Sequence, residues 1–271
     1  MAITAADVNN LRKQTGAGMM DCKNALVETD GDFEAAVDVL RKKGQKVAAK
    51  RGDNEAKEGV VFAQATTDGK TGVVLALNCE TDFVAKNDDF RNFVQSLVDI
   101  AIAKLPSSTD ELLSAAYNDQ LTVNEKITEQ VGGVGEKLDL SGFAVIKAEK
   151  VVAYNHPGNQ LATLVGLNSG TDVADDAGKQ VAMQVAAMNP LSLNKEGIDA
   201  DTIARELEVG RDLAIQEGKP AEMAVKIAEG RLNKFFKENT LLSQDFVRDN
   251  KMSVDQFLSS SEKGLTVVDF K

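Results

Sequence analysis

Tryptophan is absent from this 271-residue chain, tyrosine occurs twice and histidine once. With so few of these rings, stacking on bases has little support. A single histidine, His156, excludes a His-based metal cluster. Cys22 and Cys79 are the only cysteines. They make no disulfide framework, point to a reducing compartment and, among apolar neighbours, read as small core residues. Positive charge is in deficit, with a formal net charge of −11. That argues against nucleic acid as the main partner, because neutralising phosphates needs a basic surface. No apolar run approaches the length of a membrane span. The opening MAITAADVNN has neither the basic nor the apolar stretch of a signal peptide and is poor in Arg and Ser. The expectation is a cytoplasmic protein with no membrane contact.

Catalytic constellations are missing too. No Gly-rich segment ends in Gly-Lys followed by Ser or Thr, as a phosphate loop requires. Gly132-Gly133-Val134-Gly135-Glu136-Lys137 has the wrong spacing and reads as a loop. Asp88-Asp89 and Asp175-Asp176 are adjacent rather than convergent and suit helix N-termini. A Cys nucleophile would have to recruit His156. Neither a cofactor nor a metal is expected, and the chain reads as a binding protein.

The residues present divide the chain into an α+β arrangement. Residues 1–52 read as three helices. Thr4 and Asp7 suit a capping box, Gly16 and Gly18 break the first helix, and Asp30-Gly31-Asp32 turns into the third. Val8, Leu11, Met19, Met20, Cys22, Ala25, Leu26, Phe33, Val37 and Leu40 supply its apolar residues. Cations crowd residues 41–51, where they complement a helix C-terminus. Residues 53–58 read as a linker.

Residues 59–150 form a first core subdomain, with strands at 60–66 and 73–78 around the turn signal Asp68-Gly69. A helix over 123–131, broken by Gly132-Gly133, and one strand over 142–152 follow. Residues 151–271 form a second subdomain, with strands flanking His156-Pro157-Gly158-Asn159 and a helix over 173–188. Residues 199–238 make an inserted helical hairpin, hinged at Glu217-Gly218-Lys219-Pro220. A short helix near 254–258 and an edge strand over 265–270 close the chain. Each subdomain is expected to be a small antiparallel sheet with helices.

The most informative stretch is Asn78-Cys79-Glu80-Thr81-Asp82-Phe83-Val84-Ala85-Lys86-Asn87. The apolar run 73–77 precedes it. Phe90, Phe93, Val94, Leu97, Val98 and Ala101 follow at helical spacing. The decapeptide is therefore a strand-to-helix corner, with Thr81 or Asn87 as the helix cap. Two readings of Phe83 stand. It starts the core face of the helix, or the corner presents it outward beside Asp82.

This decapeptide resembles one signature of the elongation factor Ts family, and residues 11–26, LRKQTGAGMMDCKNAL, are similar to the other. One position departs, since Ala76 stands where the family carries an acid. The resemblance implies a UBA-like module at 1–52, a coiled-coil hairpin at 199–238 and a guanine-nucleotide exchange factor rather than an enzyme. The implied partner is elongation factor Tu, bound in its GDP-bound and nucleotide-free states. Phe83 would wedge into the GTPase domain and disturb the residues holding Mg²⁺, with Thr81, Asp82 and Val84 shaping the corner. Met19, Met20 and Lys23 would grip the partner, at least one of the two methionines serving the core instead. Phe246 and Val247 resemble another segment near the partner. His156 is a surface residue or a further contact. The hairpin closes on itself or pairs with a second copy to form a homodimer. Some relatives carry a further C-terminal helix that touches the partner. This chain stops before it, so that contact is expected to be absent. Two rivals remain, a ubiquitin-associated adaptor and an enzyme using Cys22 or Cys79.

Overall fold

The computed structural model describes residues 3–271. The first helix, α1 (Ala5–Thr15), starts at the Thr4–Asp7 capping box and stops at Gly16, whose φ of 73° suits glycine. Helices α2 (Met19–Glu28) and α3 (Phe33–Arg51) follow. Asp32 caps α3 by accepting the Ala35 N–H. Val8, Leu11, Cys22, Ala25, Leu26, Ala36 and Leu40 bury together as the core of these three helices. Six of these seven lie on the apolar faces that the sequence marks, and Ala36 joins them.

Strands β1 (Glu58–Ala65) and β2 (Thr71–Cys79) flank the Asp68-Gly69 turn. Glu58, read as linker, already belongs to β1. After β2 come a single helical turn α4 (Asp82–Ala85) and the long helix α5 (Asp88–Lys104). Phe90, Phe93, Val94, Leu97, Val98 and Ala101 of α5 are all buried, as their spacing requires. Each large side chain removed from water contributes about 1.5–3 kcal/mol before its entropy cost. Helices α6 (Thr109–Ser114) and α7 (Val123–Val134) lead to β3 (Asp139–Lys147). The sheet runs in the order β1-β2-β3.

Two expectations are corrected here. Gly132 and Gly133 do not break α7, which continues to Val134 and ends at Gly135 with φ 78°. Both glycines are there for close approach. A β-carbon on Gly133 would lie 2.7 Å from the Gly16 carbonyl oxygen, so only glycine fits. Nor do residues 142–152 make one strand. They divide between β3 and β4 (Lys150–Asn155), which lie in different sheets.

The second sheet has the order β4-β5-β8, with β5 at Ala162–Leu167 and β8 at Val267–Phe270. Strand β8 is an edge, antiparallel to β5 with Val165 opposite Phe270. Helix α8 (Asp172–Met188) buries Ala174, Ala177, Val181 and Val185 with β5 residues Val165 and Leu167. Helices α9 (Ala200–Gln216) and α10 (Ala221–Asn239) form the hairpin. Its seam is built from small residues, Gly210, Ala214, Ala224 and Ala228, which let the two backbones come close. A two-stranded ribbon, β6 (Asp245–Phe246) with β7 (Asp249–Ser253), and helix α11 (Val254–Ser261) complete this part. The ribbon carries no turn signal strong enough to have been foreseen.

The chain packs as two compact units. One takes in the chain up to Ala63, residues 73–145 and residues 155–161, and the other takes residues 64–72, 146–154 and 162–271. No helix among the described residues is long and apolar enough to cross a membrane.

Candidate functional site

Phe83 projects from the corner with 82 % of its surface exposed. It stands on α4, between β2 and α5. The residue after it, Val84, is partly buried against the first core cluster, and Ala85 is fully in it. The helical turn thus points one apolar side chain inward and the neighbouring ring outward. Of the two readings of Phe83, the presented one holds. Both suggested caps are occupied, Thr81 before α4 and Asn87 before α5, where Asn87 Oδ1 accepts the Asp89 N–H at 2.7 Å.

Asp82 pairs with Lys86 at 2.6 Å, one turn along. The Lys86 ammonium holds the Asp82 carboxyl below its ordinary range, and Asp82 raises Lys86 in turn. Thr81 does not cap with its hydroxyl. It donates that hydroxyl to Glu136 Oε1 at 2.6 Å. The other oxygen of Glu136 accepts the backbone N–H groups of Glu80 at 3.1 Å and Thr81 at 3.0 Å. Glu80 answers by accepting the Lys137 N–H at 2.6 Å and two bonds from Arg51 Nη1 at 2.9 and 2.8 Å. Asn54 Nδ2 adds a further bond to Glu80 at 3.1 Å. Cys79 lies under the corner, its thiol donating to the Thr81 carbonyl at 3.2 Å. Burial first, and then the charge of Glu136, push that thiol up to about 11.

A cleft of about 840 Å³ opens beside the corner. Val84, Asn87 and Phe90 line one part of it, and Arg12, Lys13 and Gly16 from the end of α1 another.

Along its whole length the chain is similar to proteins of one name. The family described as "Elongation factor TS" matches residues 80–271. An Elongation factor Ts of Christiangramia forsetii is 51% identical over 269 residues, 99% of this chain and 97% of the relative. One of Amoebophilus asiaticus is 50% identical over 273 residues, covering 100% of this chain and 98% of the relative. One of Flavobacterium psychrophilum is 49% identical over 270 residues, covering 99% and 97%.

The chain belongs to the elongation factor Ts family. It is therefore a translation elongation factor by family, and the remaining sequence-selected residues can be placed in that light. Met19 and Met20 on α2 are 55 % and 64 % exposed, and Lys23 is exposed on the same helix. Neither methionine serves the core, contrary to expectation, because Cys22, Ala25 and Leu26 already fill the inward face of α2. His156 sits exposed in the turn between β4 and β5. Phe246 does not present its ring. It is buried and stacked on Phe257, with centroids 4.1 Å apart and planes 12° from parallel. Val247 beside it is about half exposed and is the surface residue of that segment.

Sequence reasoning missed Glu136, Lys137, Arg51 and Asn54. Gly135 was the available signal, since a positive-φ glycine ends a helix and turns the next residue out of its ladder. Nothing local, however, tells that Glu136 reaches a corner 55 residues earlier.

Proposed function

We propose that this chain binds elongation factor Tu in its GDP-bound and nucleotide-free states and speeds the release of GDP. The observation that carries this reading is Phe83, a large ring held in water on a braced corner. Burying such a side chain in a partner's apolar crevice is worth about 1.5–3 kcal/mol. In this reading the ring wedges into the GTPase domain, displaces the groups that hold Mg²⁺ there, and leaves the phosphates of GDP less well neutralised. Asp82 orients the corner and hydrogen-bonds the partner, while Thr81 and Val84 set the angle of the ring. The chain acts in the cytoplasm as a binding protein and leaves the chemistry to its partner.

Linkage sets the size of the task. Whatever weakens GDP must itself bind less tightly when GDP is present. A thousandfold loss of nucleotide affinity is a coupling of about 4 kcal/mol. One ring does not supply that, so a few anchors share it. Met19, Met20 and Lys23 of the 1–52 module, His156 and Val247 are exposed and in this reading supply the rest. Val209, Leu213, Met223 and Val225 are exposed along the α9–α10 hairpin, which supports a homodimer formed there. Sedimentation over a concentration range reads that out, and a monomer at every concentration refutes it.

The deciding experiment loads elongation factor Tu with fluorescent GDP and times its release with and without the chain. Acceleration at substoichiometric amounts, lost in Phe83→Ala, is the expected result. Equal release by Phe83→Ala refutes the wedge.

A further inference from the structure

The corner is held by a reciprocal pair of carboxylates. Glu136, just after α7, reaches across to take the N–H groups of Glu80 and Thr81 and the Thr81 hydroxyl. Glu80, on the corner, reaches back to take the N–H of Lys137. Each side chain thus binds the backbone of the other's segment. Four hydrogen bonds of 2.6–3.1 Å join two stretches of chain that are both outside regular structure.

The clasp has a second layer. Glu80 also takes Arg51 at the end of α3 and Asn54 just beyond it. Lys137 Nζ donates to the carbonyls of Gly52 at 2.8 Å and Asn54 at 3.0 Å. The segment that reads as a linker is therefore pinned from both sides. Bonds in which a carboxylate accepts are among the stronger ones, and here they converge on the two residues just before Asp82.

A presented ring transmits force only if its base does not yield. An interaction that must be made in one orientation gains from a pre-ordered backbone. We infer that Glu136 and Glu80 are positioning residues for exchange: their clasp fixes the backbone beneath Asp82-Phe83 and links the angle of that corner to the end of α3. This rests on the exchange reading of Phe83. Neither carboxylate needs to touch the partner. Glu136 works through Thr81, and Glu80 works through Lys137 and Arg51.

The test combines amide hydrogen exchange in the free chain with GDP release from elongation factor Tu. Glu136→Ala is expected to speed exchange of the Glu80 and Thr81 amides by about tenfold or more, and to slow GDP release. Added to Phe83→Ala, it should slow release by much less than it does in the parent, because the ring that the clasp aims is then gone and only Asp82 remains to be positioned. Glu136→Gln is expected to recover most of both readouts, since its amide oxygen can accept the two N–H groups and its NH₂ can donate to the Thr81 hydroxyl. If Glu136→Ala does not fold, Glu80→Ala takes its place, read at the Lys137 amide. Unchanged amide protection overturns the clasp. Loosened amides with undiminished release, while Phe83→Ala is slow, overturn its positioning role alone. A Phe83→Ala variant as fast as the parent overturns the exchange reading, and the role of the clasp with it.

Discussion

Gly132 of α7 and Gly44 of α3 meet backbone to backbone. A β-carbon built on Gly132 would lie 2.6 Å from the Gly44 Cα, and one built on Gly44 would lie 2.9 Å from the Thr128 carbonyl. Helices α3 and α7 approach this closely because neither has a side chain at the crossing. The N-terminal helices are thereby packed directly on the helix that ends at the clasp. Val47 and Ala48 of α3 add apolar contact with the first core cluster.

Gly132→Ala should therefore separate α3 from α7. The helix itself would gain slightly from alanine, but the overlap falls on backbone, which cannot rotate away. A loss of about 1–3 kcal/mol in urea denaturation is expected. Gly230→Ala is the control. It lies in α10 with open space at its β-carbon and should be neutral or mildly stabilising.

Phe83→Ala should leave folding stability within about 0.5 kcal/mol of the parent, because the ring is already in water. GDP release should fall by roughly thirtyfold, the ~2 kcal/mol of an aromatic hot spot. Thermal melting and release kinetics on one preparation separate the two effects. A variant that melts much earlier would mean that the ring packs in the free protein after all.

Lys126 and Glu129 on α7 form a nearly buried pair at 3.2 Å, with side chains 8 % and 7 % exposed. Burial pushes the Glu129 carboxyl up, against the pull of Lys126. Glu129→Ala leaves the ammonium of Lys126 without its carboxylate and should cost about 3 kcal/mol. Replacing both by apolar residues of similar volume should cost far less, and a double-mutant cycle measures the difference.

The carboxylate of Glu80 gives a pH signature. The Lys137 N–H first, then Arg51 and Asn54, hold it below the ordinary value of 4.5. Its folded-state value is therefore depressed, so its contribution is whole above about pH 4.5 and is lost as pH falls through the lower, folded value. The amide shift of Lys137 should titrate with a midpoint below 4.5, and Glu80→Gln should abolish that titration. A midpoint at or above 4.5 contradicts the bond.

Both thiols should resist alkylation in the folded protein. Cys22 and Cys79 are buried, and burial raises each thiol above its usual value. At neutral pH little thiolate forms, so iodoacetamide should label both slowly until urea is added. Rapid native labelling of either, with loss of function, would restore the cysteine-enzyme reading.

Short-range signals in the sequence were enough to determine several of its local elements. Helical spacing marked the buried face of α5, the Thr4–Asp7 pair marked the start of α1, and Asp68-Gly69 marked the first hairpin. These follow from neighbours within a few residues, which is the range over which periodicity and caps act. The corner itself was legible as a change from strand to helix.

Only the tertiary structure decided what depends on distant chain. Whether Phe83 faced the core or solvent could not be read locally, because either face of a one-turn helix was open to it. The choice came from Val84 and Ala85 filling the inward positions. Gly132 and Gly133 looked like helix breakers because a glycine's conformational freedom is visible in sequence, whereas the backbone of α3 pressed against it is not. Phe246, placed near the partner by resemblance alone, is buried in the core, where Phe257 stacks on it. Glu136 looked like a residue in a turn, and it acquired its role only where folding brought Glu80 and Thr81 within hydrogen-bond reach.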